Sequence, residues 1–200
     1  MTMLGKARQV LRELNRLDQA VYAAVATSPT PSIDEGLRRL SDAANYSRIS
    51  GTVAAGLAVL GGRRGRKAAL RGMASIAVTS AVLNAAVKPV ARRARPDRDG
   101  AAVPEARQVR MPRSHSFPSG HSASAFAFAV GVGHVMPWSI PPLTLLAAAV
   151  AYSRVHTGVH YPGDVIIGSL SGVILGEATN TLLDRYLVRS AEGSSRQESG

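Results

Sequence analysis

Cysteine is absent from the 200 residues of this chain, and aromatic residues make up only 4% of it. The absence of cysteine excludes disulfides and thiolate metal sites. The few aromatic residues are not interleaved with a basic stripe, as they are in proteins that bind single-stranded nucleic acid. We therefore expect no nucleic-acid partner.

Acidic residues are also scarce, since 13 Asp and Glu face 24 Lys and Arg, which gives a formal charge of +11. A strongly basic chain favours an anionic partner such as a nucleic acid, an anionic lipid or a phosphorylated substrate. Here the basic residues gather at the flanks of apolar segments, where membrane proteins carry their anchoring charges. Charged residues also interrupt the first thirty positions, so no cleavable signal peptide is expected.

Strand-like alternation is missing, and the apolar spacing predicts helices instead. Residues 4–26 have the pattern of an amphipathic helix, which would either pack on the domain or lie in the lipid headgroup region. A second short helix is expected to end near Ala44. An apolar, glycine-rich segment over 49–61 and apolar helices over 68–87, 120–136, 139–153 and 164–184 follow. A tight basic loop is predicted over 61–67, and a long Arg-rich loop over 91–117.

These elements predict an all-α fold, a membrane-embedded bundle of about five apolar helices with an N-terminal amphipathic helix. The expected divisions are an N-terminal helical segment over 1–44, a main domain over 45–189 and a disordered tail over 190–200. The apolar runs are short for a bilayer core, which needs about 20 residues per helix. Their Ala, Gly and Ser residues permit close packing in a bilayer but also occur in soluble cores, so a soluble helical bundle remains the alternative.

Three short blocks carry the chemistry: K-x6-R-P from Lys88, P-S-G-H from Pro118, and S-R-x5-H-x3-D from Ser153. A phosphoryl group in transfer spreads negative charge over its oxygens, so fixed cations are what its cleavage requires. Arg95 and Arg154 offer bidentate guanidinium forks, and Lys88 offers a point charge. Taken singly, each of these cations has a simpler explanation as a membrane anchor, a headgroup contact or a partner of a helix dipole.

The second block precedes an apolar helix. Ser119 suits the N-cap position and Gly120 permits close approach of the backbone. The free amides of a helix start bind anions, and His121 in the first turn is placed to protonate a leaving oxygen. Alone, this block is equally compatible with a plain helix cap.

The third block pairs His160 with Asp164. A neutral imidazole attacks phosphorus when its other ring nitrogen is held by a hydrogen bond, which Asp164 can accept. A lone His-x-x-x-Asp is more often a local turn contact. The combination decides, because an up-and-down bundle brings the ends of these helices to the same side.

Together the three blocks resemble the signature of the type 2 phosphatidic acid phosphatase (PAP2) superfamily, over about residues 45–185. The resemblance implies that His160 is the nucleophile that forms a phosphohistidine, that Asp164 orients it and that His121 is the general acid. It also implies that Lys88, Arg95, Ser119, Gly120 and Arg154 bind the phosphate, and that neither a metal nor another cofactor is needed.

The leading hypothesis is therefore an integral membrane phosphatase with a lipid phosphate as substrate and membrane lipids as surroundings. Candidate substrates are phosphatidic acid, phosphatidylglycerol phosphate and polyprenyl phosphates or diphosphates. A soluble acid phosphatase or vanadium haloperoxidase of the same superfamily is one alternative, and a non-enzymatic basic membrane-binding protein is another.

Three histidines lie outside the signature. We expect His115 to be exposed to solvent, His134 to be structural, and His156 to be either structural or an outer neighbour of the site.

The basic residues over 63–67, Arg185 and Arg189 indicate that the end opposite the site is cytoplasmic. The eight Lys and Arg residues over 88–113 would by themselves place the site inside, but several of them are expected to act in catalysis. The family resemblance also favours an extracytoplasmic site for many bacterial members, so an extracytoplasmic active site is expected.

Overall fold

A computed structural model describes residues 3–198; for Leu4 and residues 191–198 it describes the backbone only. Eight α-helices account for most of this part of the chain: α1 (Met3–Thr27), α2 (Pro31–Ala43), α3 (Arg48–Leu60), α4 (Gly62–Val82), α5 (Lys88–Ala91), α6 (Gly120–Gly133), α7 (Ile140–His156) and α8 (Pro162–Glu198). The described residues contain no β-strand, which agrees with the predicted all-α class.

Helix α6 lies at the centre of the bundle, where it packs against α4, α7 and α8, while α3 packs on α4. Small residues make this arrangement possible. A Cβ at Gly168 would lie 2.5 Å from the Ser119 carbonyl oxygen, and one at Gly172 would clash with the backbone of Ala123. Glycine at these two positions of α8 therefore lets the start of α6 approach closely, and that start belongs to the second motif.

The predicted basic loop over 61–67 is wrong. The break between α3 and α4 is confined to Gly61 and Gly62. The positive φ of Gly62, 57°, turns the chain, and α4 begins at that residue. Arg and Lys are good helix formers, so the basic residues occupy the first turns of α4 instead of a loop.

Helix α4 continues beyond its α-helical part through a π-helical turn, Leu83–Val87, directly into α5. A long non-helical segment follows over 92–119 and contains one 3-10 turn, Glu105–Arg107. This segment agrees with the Arg-rich loop predicted over 91–117. The other helices match their predicted positions within several residues, except that α8 runs through Glu198. The helix thus occupies most of the tail expected to be disordered over 190–200, whose last two residues lie outside the described residues.

Within the described residues, two helical stretches are long and apolar enough to cross a membrane, Gly62–Ala91 and Pro162–Ser190. The remaining apolar helices α3, α6 and α7 have 13, 14 and 17 residues, fewer than the roughly 20 that a perpendicular span needs. In both long stretches most of the apolar window faces outward, with 33% and 28% buried. The long, outward-facing apolar surface among the described residues thus lies on the α4–α5 stretch and on α8.

Candidate active site

All three motif blocks reach one cavity of about 330 Å³ at one end of the bundle. The end of α4–α5, the start of α6, the end of α7 and the start of α8 meet there, as the up-and-down arrangement predicted. Five of the eight predicted site residues line the cavity: Lys88, Arg95, Gly120, His121 and His160. The other three, Ser119, Arg154 and Asp164, are fully buried behind its wall.

His160 is held between a carboxylate and a guanidinium. Its Nδ1 lies 3.4 Å from Asp164 Oδ2, and its Nε2 lies 3.3 Å from Arg95 Nη1. A guanidinium has only donors, so Nε2 is the acceptor and the ring proton sits on Nδ1, directed at Asp164. Burial lowers the pKa of His160 to about 4, and the bond to Asp164 offsets only part of this effect. The ring is therefore neutral near pH 7, with its lone pair on the cavity side.

Asp164 is fixed from three directions. Its Oδ2 also accepts the Tyr161 backbone N–H at 2.9 Å, and its Oδ1 accepts Arg93 Nη1 at 2.8 Å. The local cause is the short turn before α8, which places the carboxylate of its first turn beneath the His160 ring. An ionised carboxylate only accepts hydrogen bonds, and this one accepts from three donors, so it can hold one tautomer of the ring.

Arg95 is anchored by main-chain carbonyl groups on both sides of the cavity. Its Nε donates to the Ser114 carbonyl at 2.9 Å, and its Nη1 to the Val159 carbonyl at 2.7 Å. Burial lowers its pKa from the usual value, partly offset by the charge of Asp164. Arg95 remains a cation, since arginine is protonated at any ordinary pH.

Lys88 follows the π-helical turn, and its ammonium group donates to Asn84 Oδ1 at 2.9 Å. A Cβ at Gly120 would lie 3.4 Å from this ammonium group. Lys88 and the amide end of α6 therefore border the same part of the cavity. Ser119 caps that helix end, with its hydroxyl accepting the Ser122 N–H at 3.4 Å, as predicted.

Arg154 is completely buried, and its Nη1 donates to the Ser41 hydroxyl at 2.6 Å and carbonyl at 3.0 Å. Its Nε and Nη2 have no hydrogen-bond partner in the described part of the chain. Buried N–H groups are normally paired, so these two donors are unusual, although Arg154 is not among the residues that line the cavity.

Sequence reasoning missed the contribution of the N-terminal segment. Asn45 Oδ1 lies 3.0 Å from His121 Nε2, Ser41 holds Arg154, and Asp18 Oδ2 lies 2.7 Å from Arg93 Nη2. Arg93 was visible only as an unspecified letter inside the first motif. Nothing in the local pattern around Asp18, Ser41 or Asn45 distinguishes them from ordinary polar helix residues.

None of the three histidines outside the motifs lines the described cavity. His115 is exposed, as predicted, although its carbonyl accepts a bond from Arg95 at 3.4 Å. His134 pairs with Asp184 at 2.9 Å at the opposite end of the bundle, in agreement with a structural role. His156 is buried against Asp34 Oδ1 at 3.0 Å. This contact ties α7 to α2, so the structural alternative holds for His156.

The helical bundle brings the three motif blocks to one histidine-lined cavity at its helix ends. The family model of the PAP2 superfamily matches residues 69–186, a stretch that contains all eight predicted site residues. The chain belongs to this superfamily, and the resemblance of the three motifs is thereby confirmed.

Curated relatives carry phosphatase names. The decaprenylphosphoryl-5-phosphoribose phosphatase of Mycolicibacterium smegmatis is 36% identical over 157 residues, which cover 76% of this chain and 82% of that protein. Its namesake from Mycobacterium tuberculosis strain H37Rv is 36% identical over 96 residues, and the match spans only 51% of that relative's length. A putative undecaprenyl-diphosphatase of Escherichia coli is 44% identical over 61 residues, 30% of each chain.

Two solved structures share the fold. LpxE of Aquifex aeolicus superposes with a TM-score of 0.66 at 23% identity, covering 82% of this chain and 95% of that one. A transmembrane PAP2-type phosphatidylglycerolphosphate phosphatase from Bacillus subtilis gives 0.63 at 22% identity, covering 86% and 87%. At this level of identity the likeness establishes the fold.

Proposed function

We propose that this chain is an integral membrane phosphatase that removes phosphate from a lipid phosphomonoester or diphosphate through a phosphohistidine. The observation that carries the proposal is the His160 ring, neutral and held by Asp164, with its Nε2 bonded to Arg95 at a cavity that Lys88 also lines.

In the proposed reaction, the phosphate oxygens of the substrate accept hydrogen bonds from the guanidinium group of Arg95 and the ammonium group of Lys88. Because Arg95 then binds the phosphate, the lone pair of His160 Nε2 becomes free to attack phosphorus. The P–O bond to the alcohol breaks as the N–P bond forms. His121, which gains a second ring proton when the anionic phosphate lies beside it, gives that proton to the leaving oxygen. Water, deprotonated by His121, then attacks the phosphohistidine and releases inorganic phosphate.

Membrane embedding is supported by the outward-facing apolar residues of α8. Ile166, Leu170 and Ile174 are 57%, 54% and 66% exposed, and they recur at four-residue spacing along one face of that helix. A contiguous apolar face of this kind suits lipid contact better than water, which disfavours the soluble alternative. The lipid tail of a substrate can then stay in the bilayer while its phosphate enters the cavity.

We place the active site on the extracytoplasmic side. The opposite end of the bundle carries the basic start of α4, with Arg63, Arg64, Arg66 and Lys67, and also Arg185. Cytoplasmic ends of membrane helices are enriched in such residues. Two of the cations at the site end, Lys88 and Arg95, line the cavity and so carry less information about orientation.

The relatives named as acting on decaprenylphosphoryl-5-phosphoribose and undecaprenyl diphosphate suggest a polyprenyl-linked substrate, with phosphatidic acid and phosphatidylglycerol phosphate as competitors.

The deciding experiment measures phosphate release by purified protein from all four lipids in mixed micelles. In parallel, a ³²P-labelled substrate is used to trap an acid-labile, base-stable phosphoenzyme. His160→Ala should abolish both signals, whereas His115→Ala, a change at an exposed histidine, should abolish neither. Turnover without a phosphoenzyme that depends on His160 would overturn the proposed mechanism.

A further inference from the structure

Arg93 joins two carboxylates that are far apart in sequence. Its Nη1 lies 2.8 Å from Asp164 Oδ1 and its Nη2 lies 2.7 Å from Asp18 Oδ2. The Arg93 side chain is only 22% exposed, and those of Asp18 and Asp164 are 11% and 0% exposed. Solvent screens such shielded pairs much less than surface pairs. Asp18 and Asp164 outweigh the effect of burial and raise the pKa of Arg93.

Asp18 makes a second contact with the same region. Its Oδ1 accepts the backbone N–H of Gly163 at 2.6 Å, directly beside Asp164. Helix α1 is also held here by Tyr22, whose ring meets that of Tyr161 edge-on at 5.3 Å. The N-terminal helix is thus attached at two points to the turn that carries both His160 and Asp164.

We propose that Arg93 and Asp18 are positioning residues of the phosphatase reaction, which fix the Asp164 carboxylate and through it the His160 ring. The inference rests on the proposed role of His160 as nucleophile. Neither residue is among those that line the described cavity, so neither is expected to touch the substrate. Asp18 also lies outside residues 69–186, the part that matches the family.

The physical reason lies in the two oxygens of Asp164. Oδ2 serves His160 and the Tyr161 amide, while Oδ1 is held by Arg93. Without the guanidinium, a fully buried carboxylate oxygen loses its charged donor, and the carboxyl group is free to rotate away from the imidazole. Asp18 in turn binds the other end of the guanidinium. Without Asp18, the Arg93 side chain is held in place less firmly.

Arg93→Gln and Asp18→Asn test the proposal in the full-length protein. Outer partners of metal-bound histidines contribute roughly 10–100-fold to activity, and we expect losses in kcat of that order for Arg93→Gln. KM should stay within about twofold, because no ground-state contact with phosphate is removed. Rapid-quench measurements should show slower formation of the phosphoenzyme with an unchanged final amplitude.

Two further comparisons separate positioning from mere folding. Arg93→Lys keeps the charge and should recover part of the lost rate. The double variant Asp18→Asn/Arg93→Gln should be no slower than Arg93→Gln alone, because the two residues act as one unit. The matched controls are Arg92→Gln, at an exposed neighbour whose side chain donates to the Pro89 carbonyl, and Glu13→Gln, at an exposed pair on α1. Both should keep the wild-type rate.

The inference is overturned if Arg93→Gln and Asp18→Asn keep the wild-type kcat. It is equally overturned if they lower the phosphoenzyme amplitude and the melting temperature while the rate per active molecule is unchanged. If the wild-type protein itself forms no phosphohistidine, the proposed function fails and this inference falls with it. A normal phosphoenzyme with insensitive variants rejects only the positioning role.

Discussion

Arg95 Nη1 lies 3.3 Å from His160 Nε2, so the cation that is proposed to bind phosphate also covers the lone pair proposed to attack it. The contact keeps the unliganded nucleophile protected and in one tautomer. An incoming phosphate competes for the guanidinium, and substrate binding thereby uncovers the nucleophile.

The first prediction concerns pH. Burial lowers the pKa of His160 to about 4, below that of free imidazole, so the attacking ring stays neutral at neutral pH and gains its proton only in acid. We expect the contribution of His160 to kcat/KM to be flat down to about pH 5 and to fall about tenfold per pH unit below about pH 4. The measurement uses two monoesters with different second ionisation constants. A limb that moves with the substrate belongs to the substrate, and a fixed limb near pH 6.5 would contradict the prediction.

The second prediction concerns His121 and its partner Asn45, whose Oδ1 lies 3.0 Å from the ring nitrogen. General acid catalysis matters most for a poor leaving group. His121→Asn should therefore lower kcat by roughly 100-fold or more on an alkyl phosphate, and far less on p-nitrophenyl phosphate. Asn45→Ala should show the same selectivity in weaker form. Equal losses on both substrates would reject the general acid role.

The third prediction tests the packing that positions the second motif. A methyl group at Gly172 of α8 would clash with the Ala123 backbone, whereas nothing lies within 4 Å of one at Gly56 of α3. Gly172→Ala should destabilise the fold by about 1–3 kcal/mol through overpacking. The matched Gly56→Ala should stabilise it by about 0.5–1 kcal/mol, since alanine is the better helix former. Thermal unfolding in detergent measures both, and equal shifts would contradict the proposed close contact.

The fourth prediction concerns orientation. The chain has no cysteine, so single thiols can be introduced without background. Glu105→Cys at the site end should react with an impermeant maleimide in intact cells. Leu60→Cys at the opposite end, where the native side chain is 87% exposed, should react only after permeabilisation. The reverse pattern would place the active site in the cytoplasm.

The local parts of the site were accessible from sequence because they are relationships within one turn or one helix end. Asp164 reaches His160 because it lies four residues later, in the first turn of α8, and Ser119 caps α6 because it directly precedes that helix. The positions of the helices follow from the spacing of apolar residues, and the convergence of their ends follows from the short connections between them. The loop prediction over 61–67 is wrong because it rests on polarity alone, whereas Arg and Lys favour helix.

The sequence by itself therefore determined the helices, the three motif blocks and the end of the bundle at which they meet. Only the tertiary structure decided which groups support them. Asn45 contacts His121 across 76 residues of sequence, and Ser41 contacts Arg154 across 113. Asp18 contacts Gly163 across 145 residues and also pairs with Arg93. Such contacts depend on how α1 and α2 dock against the bundle. That docking is set by the summed packing of many side chains, and no local spacing of residues encodes it.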